Sequence, residues 1–370
     1  MIKLSGDKLL SPFLLMDKLF FDILQVAVGR RRCLDAAPSV SEWNHIYRMA
    51  VKHSLAGICA SAVDLLPESQ RPPRPVAVKL AVMAAKIEQT NILVSRRASD
   101  VSGLFASGGL RSCVLKGQGM AVLYPRPMRR QSGDIDLWVE GGSENVCGFV
   151  HRYFPDAKAR YHHIDFHVFD DVAVEVHFRP SWMFSPFSNR MLMRWFDANH
   201  SWDNVPCAGG YNVPDIHFNS VYIPIHIFRH LFDEGIGLRQ VMDYYYVVSS
   251  LPGGRMKEDN IRFLRRVGLY RFVCGMMYVL HEVFGLTDSE MPLPQDAVAG
   301  RFLLDDIVTA GNFGRFDPRV PAHKSASPLA VFMRKQRRAL RMSAYFPGEV
   351  LWGLYFHVYQ RFWRLKRGYL

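Results

Sequence analysis

Residues 111–139 read RSCVLKGQGMAVLYPRPMRRQSGDIDLWV, and the Asp-Ile-Asp near the end decides how the rest is arranged. Asp134 and Asp136 stand two apart in a run, Asp-Ile-Asp-Leu-Trp-Val, whose β-branched and aromatic content favours a strand. Strand residues i and i+2 point to one face, so both carboxylates project together while Ile135 and Leu137 pack into the sheet. Such a pair suits a hard divalent cation such as Mg²⁺, which takes oxygen ligands and is commonly held by one or two carboxylates plus substrate phosphates. Upstream, Val114-Leu115 is a short apolar strand leading into Lys116-Gly117-Gln118-Gly119. Met120 to Tyr124 follow as a helical turn or two, ended by Pro125 and Pro127. A glycine after a strand lets the backbone approach a ligand closely, and N–H groups at a helix start attract anions. The turn reads as a phosphate-binding one.

Taken in order, Leu115-Lys116-Gly117, Tyr124-Pro125, Arg130 and Asp134-Ile135-Asp136-Leu137-Trp138-Val139 resemble a known pattern. It is that of the uncharacterised bacterial nucleotidyltransferases, a group within the superfamily with the DNA polymerase β-type fold. The superfamily's more usual turn is Gly-Ser, closer to the first Asp; here Lys116-Gly117 replaces it, and sixteen residues separate Gly117 from Asp134. The resemblance covers about residues 40–285 and implies an α+β fold, a polymerase β-like mixed-sheet core with N- and C-terminal helical regions. It also implies a third carboxylate on a neighbouring strand. Residues 162–178 alternate in two runs joined by Asp170-Asp171, a hairpin by pattern, and Glu175 on its second strand is the natural third ligand.

The activity so implied is Mg²⁺-dependent transfer of an NMP group from ATP or another NTP to an acceptor hydroxyl, with release of pyrophosphate. Asp134 and Asp136 would hold two metal ions, and Glu175 the one that activates the acceptor. Lys116 and Arg130 would neutralise the triphosphate, with the backbone of Gly117 and Gln118 nearby. The acceptor stays open between a small molecule, a tRNA and a protein. The atypical Lys-Gly turn motivates the alternative, a nucleotide-binding or partner-binding protein of the same fold without turnover.

Histidines offer a rival chemistry. His162, His163, His167 and His177 crowd the hairpin with Asp165. Counting back from a two-residue turn pairs Phe166 with Glu175, which puts His163 and His167 on the face opposite Glu175 and His177. No face then gathers three histidines, and a zinc site falls behind. Further on, His226 and His230, and Arg239 and Asp243, stand at i, i+4; the first pair reads as packed rings ahead of a metal site, the second as a helix-surface salt bridge, with a role in closing over the nucleotide as what the resemblance offers instead.

At 370 residues the chain has room for two or three cores, and 49% hydrophobic with 13% aromatic residues excludes long disorder. Six scattered cysteines exclude a zinc module and a disulfide framework. Charged residues from Asp7 to Asp22 interrupt any signal-peptide core, and no apolar run reaches about twenty residues, so a cytoplasmic location is expected.

The division expected is a helical region at 1–107, the nucleotidyltransferase core at 108–205, a helical region at 206–320 and a basic aromatic tail at 321–370. Helices are predicted at 8–29, after the capping-box spacing Ser39 to Glu42, at 57–66 and at 76–107, with 68–75 a loop. A helix at 140–154 would be capped by Ser143. Residues 181–204 are aromatic and irregular, covering the site or packing on the helical flank, and helices return after Pro214, at 261–284 and near 297–310. From Ala322 to Leu370, ten basic residues face one acid, Glu349, so nine of the chain's twelve net positive charges lie there. Residues 350–363 between the basic clusters are apolar and aromatic. The tail is expected to bind a polyanion, an anionic membrane surface ahead of RNA, placing the protein peripheral to the membrane.

Overall fold

A computed structural model describes residues 12–200, 209–319 and 328–366. The start of the helix expected from residue 8, the end of the 181–204 stretch, and Lys324 and Arg367 of the tail lie outside them. The N-terminal helices are α1 (Pro12–Ala27), α2 (Val40–Lys52), α3 (Ala56–Leu65) and α4 (Arg74–Ser107). The capping box forms as read: Ser39 Oγ accepts from Glu42 N at 3.3 Å, and Glu42 Oε2 accepts from Ser39 N at 2.7 Å.

Helix α4 is a single rod of 34 residues, about 51 Å at 1.5 Å per residue. Its buried positions 76, 80, 84, 87, 94, 98, 101 and 105 keep one face inward throughout. The first of them join a core made by helices, and the last join the core beneath the sheet. Asn91, fully buried in the same stripe, donates to the carbonyl oxygens of Met128 (2.7 Å) and Arg130 (2.8 Å). It thereby pins the loop that leads to Asp134.

The sheet follows: β1 (Ser112–Leu115), α5 (Lys116–Ala121), β2 (Ile135–Val139), α6 (Gly142–His151), β3 (His163–Asp165) and β4 (Val174–His177). Strand order is β1-β2-β4-β3, with β2 and β4 parallel and both outer pairs antiparallel. The mixed sheet and helical flanks make the fold α+β, as expected. Alternation decides what each face meets: Ile135, Leu137 and Val139 enter the core with α4 and α6, while Trp138 joins the larger core on the other side. Asp136 shares the Trp138 face. Ahead of α6 the cap is Gly141, at φ 96°, and not Ser143.

Two expectations are corrected. The hairpin pairs Asp165 with Glu175 and His163 with His177, one residue away from the register counted back from Asp170-Asp171. Its connection runs from Asp165 to Val174 rather than through two residues, and a one-residue slip moves every side chain to the other face. His163 and Asp165 therefore lie on the same side as Glu175 and His177. The aromatic stretch after Pro180 is irregular only at first; α7 (Pro186–Asn199) starts where Ser185 Oγ accepts from Ser188 N, and its Trp195 packs against Phe218.

The chain continues through α8 (Ile216–Asp233), α9 (Leu238–Ser249), α10 (Glu258–Arg266), α11 (Tyr270–Phe284) and α12 (Ala297–Ala310). These share one core with α1 to α3; Arg30 beside α1 donates to Tyr245 of α9 at 3.1 Å and pairs with Glu290. The last elements are α13 (Pro328–Ser343) and α14 (Pro347–Lys366). Arg338 of α13 pairs with Asp306 of α12 and bonds the Leu231 carbonyl of α8, so the tail is seated on the body. Among the described residues no single helix is long and apolar enough to cross a membrane.

Candidate active site

Strand β1 turns into α5 through Lys116 and Gly117, both at φ +39°. Positive φ is rare for a lysine, and strain of this kind gathers at functional sites. Here it accompanies a Lys116 side chain aimed across the sheet, with Nζ 2.8 Å from Asp136 Oδ1. At Gly119 a Cβ would fall 2.2 Å from the Val114 carbonyl oxygen, so only glycine lets the turn fold back this far.

Asp136 is 2% exposed and lies level with Glu175 across the parallel β2–β4 pair. His177, two residues on along β4, shares the Glu175 face. Its Nε2 is 2.9 Å from Asp136 Oδ1 and 3.5 Å from Glu175 Oε2. Burial works against a charged ring, but bonding to Asp136 and Glu175 outweighs it and pushes the His177 pKa up to about 9. Burial likewise opposes the charge of Lys116, and Asp136 with Asp134 holds its pKa above the ordinary lysine value. Desolvation alone would raise Asp136; Lys116 and His177 reverse this and keep its carboxyl well below the usual range. Asp134 stands at the exposed edge just before β2, where repulsion from Asp136, with desolvation added, raises its pKa.

Among the described residues, three sets of side chains have ligand atoms within 4.8 Å of one another: Asp136, Glu175 and His177; His163, Asp165 and Glu175; His162, His163 and His177. The first fits a divalent cation. Two carboxylates and an imidazole meet there; Lys116 and the protonated ring of His177 now balance the carboxylates, and a bound cation would take the place of the ring's proton. Asp134 lines the same cavity but is not in that set. The third set corrects the expectation that no face gathers three histidines: the register of β3 puts His163 beside His177, and His162, just ahead of the strand, meets the His163 ring at 2.9 Å.

A cavity of about 370 Å³ opens over this face, with Lys116, Gly117 and the carboxylates on one wall. The opposite wall includes Arg229 and His230 of α8, Arg239 of α9, Lys335 of α13 and Arg364 of α14. His226 and His230 meet edge-to-face with ring centroids 4.4 Å apart, and burial lowers both pKa values, His230 to about 4. These two rings are neutral.

Arg130 and Gln118 are engaged elsewhere. Arg130, 4% exposed, forms a bidentate pair with Asp243, Nε to Oδ1 and Nη2 to Oδ2 each at 2.7 Å, and the Tyr124 hydroxyl donates to the same carboxylate at 2.7 Å. The Arg239–Asp243 surface pair is thus replaced by a buried Arg130–Asp243 pair. Arg239 instead donates Nη1 to the Gln131 carbonyl at 2.9 Å, and its buried Nε has no partner. Burial, then repulsion from Arg130, brings its pKa down to about 10, still charged at neutral pH. The Gln118 amide donates to Ser95 Oγ at 2.8 Å, so its side chain faces α4 rather than the cavity.

Sequence reasoning gave His177 and His163 no place in the carboxylate site. The signal for His177 is present, since it shares a strand face with Glu175, and His163 is hidden by the register. Arg239, marked only by the resemblance, lines the cavity and bonds the 124–131 loop.

A sheet face with clustered carboxylates, approached by a lysine from a glycine turn and lined further out by arginines among acids, has the kinds of group that polyphosphate chemistry uses. The chain belongs to a family of uncharacterised nucleotidyltransferases, whose sequence model matches residues 39–285. No curated protein and no solved structure matches it. Family membership implies a nucleoside triphosphate as substrate.

Proposed function

We propose that this protein transfers an NMP group from an NTP to an acceptor hydroxyl with the help of Mg²⁺, releasing pyrophosphate. The supporting observation is the convergence of Lys116 and His177 on one oxygen of buried Asp136, beside Glu175, in a cavity whose lining also includes Arg239. Asp136 and Glu175, with His177 and the nearby Asp134, would hold the metal, which supplies charge neutralisation and a template for attacking and leaving oxygens. In the reaction the acceptor oxygen forms a bond to the α-phosphorus, the bond from that phosphorus to the α–β bridging oxygen breaks, and the acceptor proton leaves to solvent. Lys116 and Arg239 neutralise the triphosphate. In this reading Arg130 acts by holding Asp243 and the 124–131 loop, and the catalytic unit is the 108–205 segment covered by its helical flanks.

Each labelled NTP incubated with the protein, Mg²⁺ and cell extract should label an acceptor, and Asp136→Asn should abolish the label. Labelling that survives this change would sink the assignment. NTP binding by calorimetry with no product under any acceptor would favour a binding protein without turnover. Arg239→Gln should raise the KM for NTP more than it lowers kcat, separating triphosphate binding from chemistry.

A further inference from the structure

Helix α14 has two apolar faces, and the protein body covers one of them. On the inner side Phe356 packs edge-to-face with Tyr161 (ring centroids 5.2 Å) and tilted against Phe184 (5.1 Å), Gly353 closes on the Phe184 ring, and Glu349 accepts from Phe184 N at 3.1 Å. Turned through about 100° per residue, Leu351, Leu354, Tyr355, Val358, Phe362 and Leu365 all fall on the opposite side, within an arc of about 100°. They are 71, 54, 50, 58, 65 and 54% exposed. The stripe is about 21 Å long at 1.5 Å per residue, larger than the isolated apolar residues that a soluble surface normally carries.

Charge frames this stripe. Exposed Arg361 lies along one margin and exposed Lys366 along the other, while Glu349, the only acid in the helix, is turned into the body. Helix α13 extends the same chemistry with exposed Met333, Arg337 and Leu340, spaced at i, i+4 and i+7. We propose that α14 lies in the interface of an anionic lipid bilayer, its apolar stripe at the boundary of headgroups and acyl chains and Arg361 and Lys366 on lipid phosphates.

The pattern is that of a helix lying on a membrane: a strong apolar face, basic margins and an aromatic content suited to the interfacial layer. A span is ruled out by Arg361, Arg364 and Lys366 within a helix of 20 residues and by its packed inner face. Pairing with a second copy would set basic margin against basic margin with no outward acid to meet them. RNA would satisfy the arginines and could stack on Tyr355 or Phe362, but Leu351, Leu354, Val358 and Leu365 would gain nothing from phosphate. Gln360 and Arg364 of the same helix line the catalytic cavity, so docking would bring the cavity to the level of the headgroups.

The test uses the full-length protein and flotation with vesicles of phosphatidylcholine alone or with about a third phosphatidylglycerol, in about 0.1 M salt. Binding is expected to the anionic vesicles, weakened roughly ten-fold or more by Leu354→Ser with Phe362→Ser, and to a like extent by Arg361→Glu with Lys366→Glu. All four side chains are exposed, and unchanged circular dichroism would confirm that the variants fold. The proposal is overturned if neither vesicle binds. It is overturned too if the serine variant binds as well as the parent while a tRNA competes, which would assign the face to nucleic acid. An ultracentrifuge dimer that the serine variant dissolves would assign it to a second copy. Vesicle binding is read without turnover, so its failure is distinct from failure of the transfer reaction.

Discussion

Asp243 and Asp136 face the same cavity and are 5% and 2% exposed, yet their surroundings treat them in opposite ways. Asp243 receives a guanidinium fork, one nitrogen to each oxygen, and a tyrosine hydroxyl, all at 2.7 Å. Its donors come from the 124–130 loop and the carboxylate from α9, so the pair clamps a loop to a helix. At Asp136, by contrast, Lys116 and His177 crowd onto one oxygen while Glu175 lies alongside as a second negative charge. Burial alone therefore does not separate a structural ion pair from a reactive one. Completed geometry marks the first, and surplus charge of both signs marks the second.

The largest expected effect falls on the reactive carboxylate. Asp136→Asn should cut transfer by about 10³ or more, roughly 4 kcal/mol of transition-state stabilisation, while the chain stays folded by circular dichroism. A loss below ten-fold would erase the distinction. Asp243→Ala should act the other way round, on stability: stranding Arg130 in the interior should cost about 3–5 kcal/mol in urea denaturation, because a buried charge left without its partner is heavily penalised. An unchanged midpoint would break the comparison from the structural side.

A smaller effect should appear in the pH dependence of stability. His177 is held up to about 9 from an ordinary 6.5, so its pairing with Asp136 contributes stability that is fully present below about pH 6.5 and lost as pH rises through about 9. Urea midpoints measured from pH 6 to 10 should fall across that window, and His177→Gln should flatten the fall. The smallest change is expected at Arg97, whose ion pair with Asp171 at 2.7 Å lies in water. Arg97→Ala should leave the urea midpoint almost where it was in the same denaturation assay, since solvent screens exposed pairs. A cost as large as that of Asp243→Ala would mean that exposure, too, fails to tell the pairs apart.

Much of this arrangement is legible locally. Ser39 and Glu42 announce a helix start because the bonds they make span three residues. Alternation in 134–139 tells which side chains leave the sheet core, and the same alternation in 174–177 places Glu175 beside His177. The hairpin register was not legible, because Asp170-Asp171 looks like a tight turn while the strands part between Asp165 and Val174. A shift of one residue there decides whether His163 and Asp165 join the site or leave it.

The sequence by itself determined the elements and the chemistry they carry: a glycine turn with Lys116, a strand with Asp136 just after Asp134, another with Glu175 and His177, and a C-terminal segment dense in arginine and aromatic rings. Those follow from periodicities of two and 3.6 residues, which any short window displays. Only the tertiary structure decided which cation each carboxylate keeps. Arg130 and Asp243 are 113 residues apart and pair at the cavity's edge, while Arg239, four residues before Asp243 on the same helix, is left to bond the Gln131 carbonyl. A guanidinium selects its partner by distance and by the loss of water around both, and those quantities exist only once α9 has packed against the loop before β2.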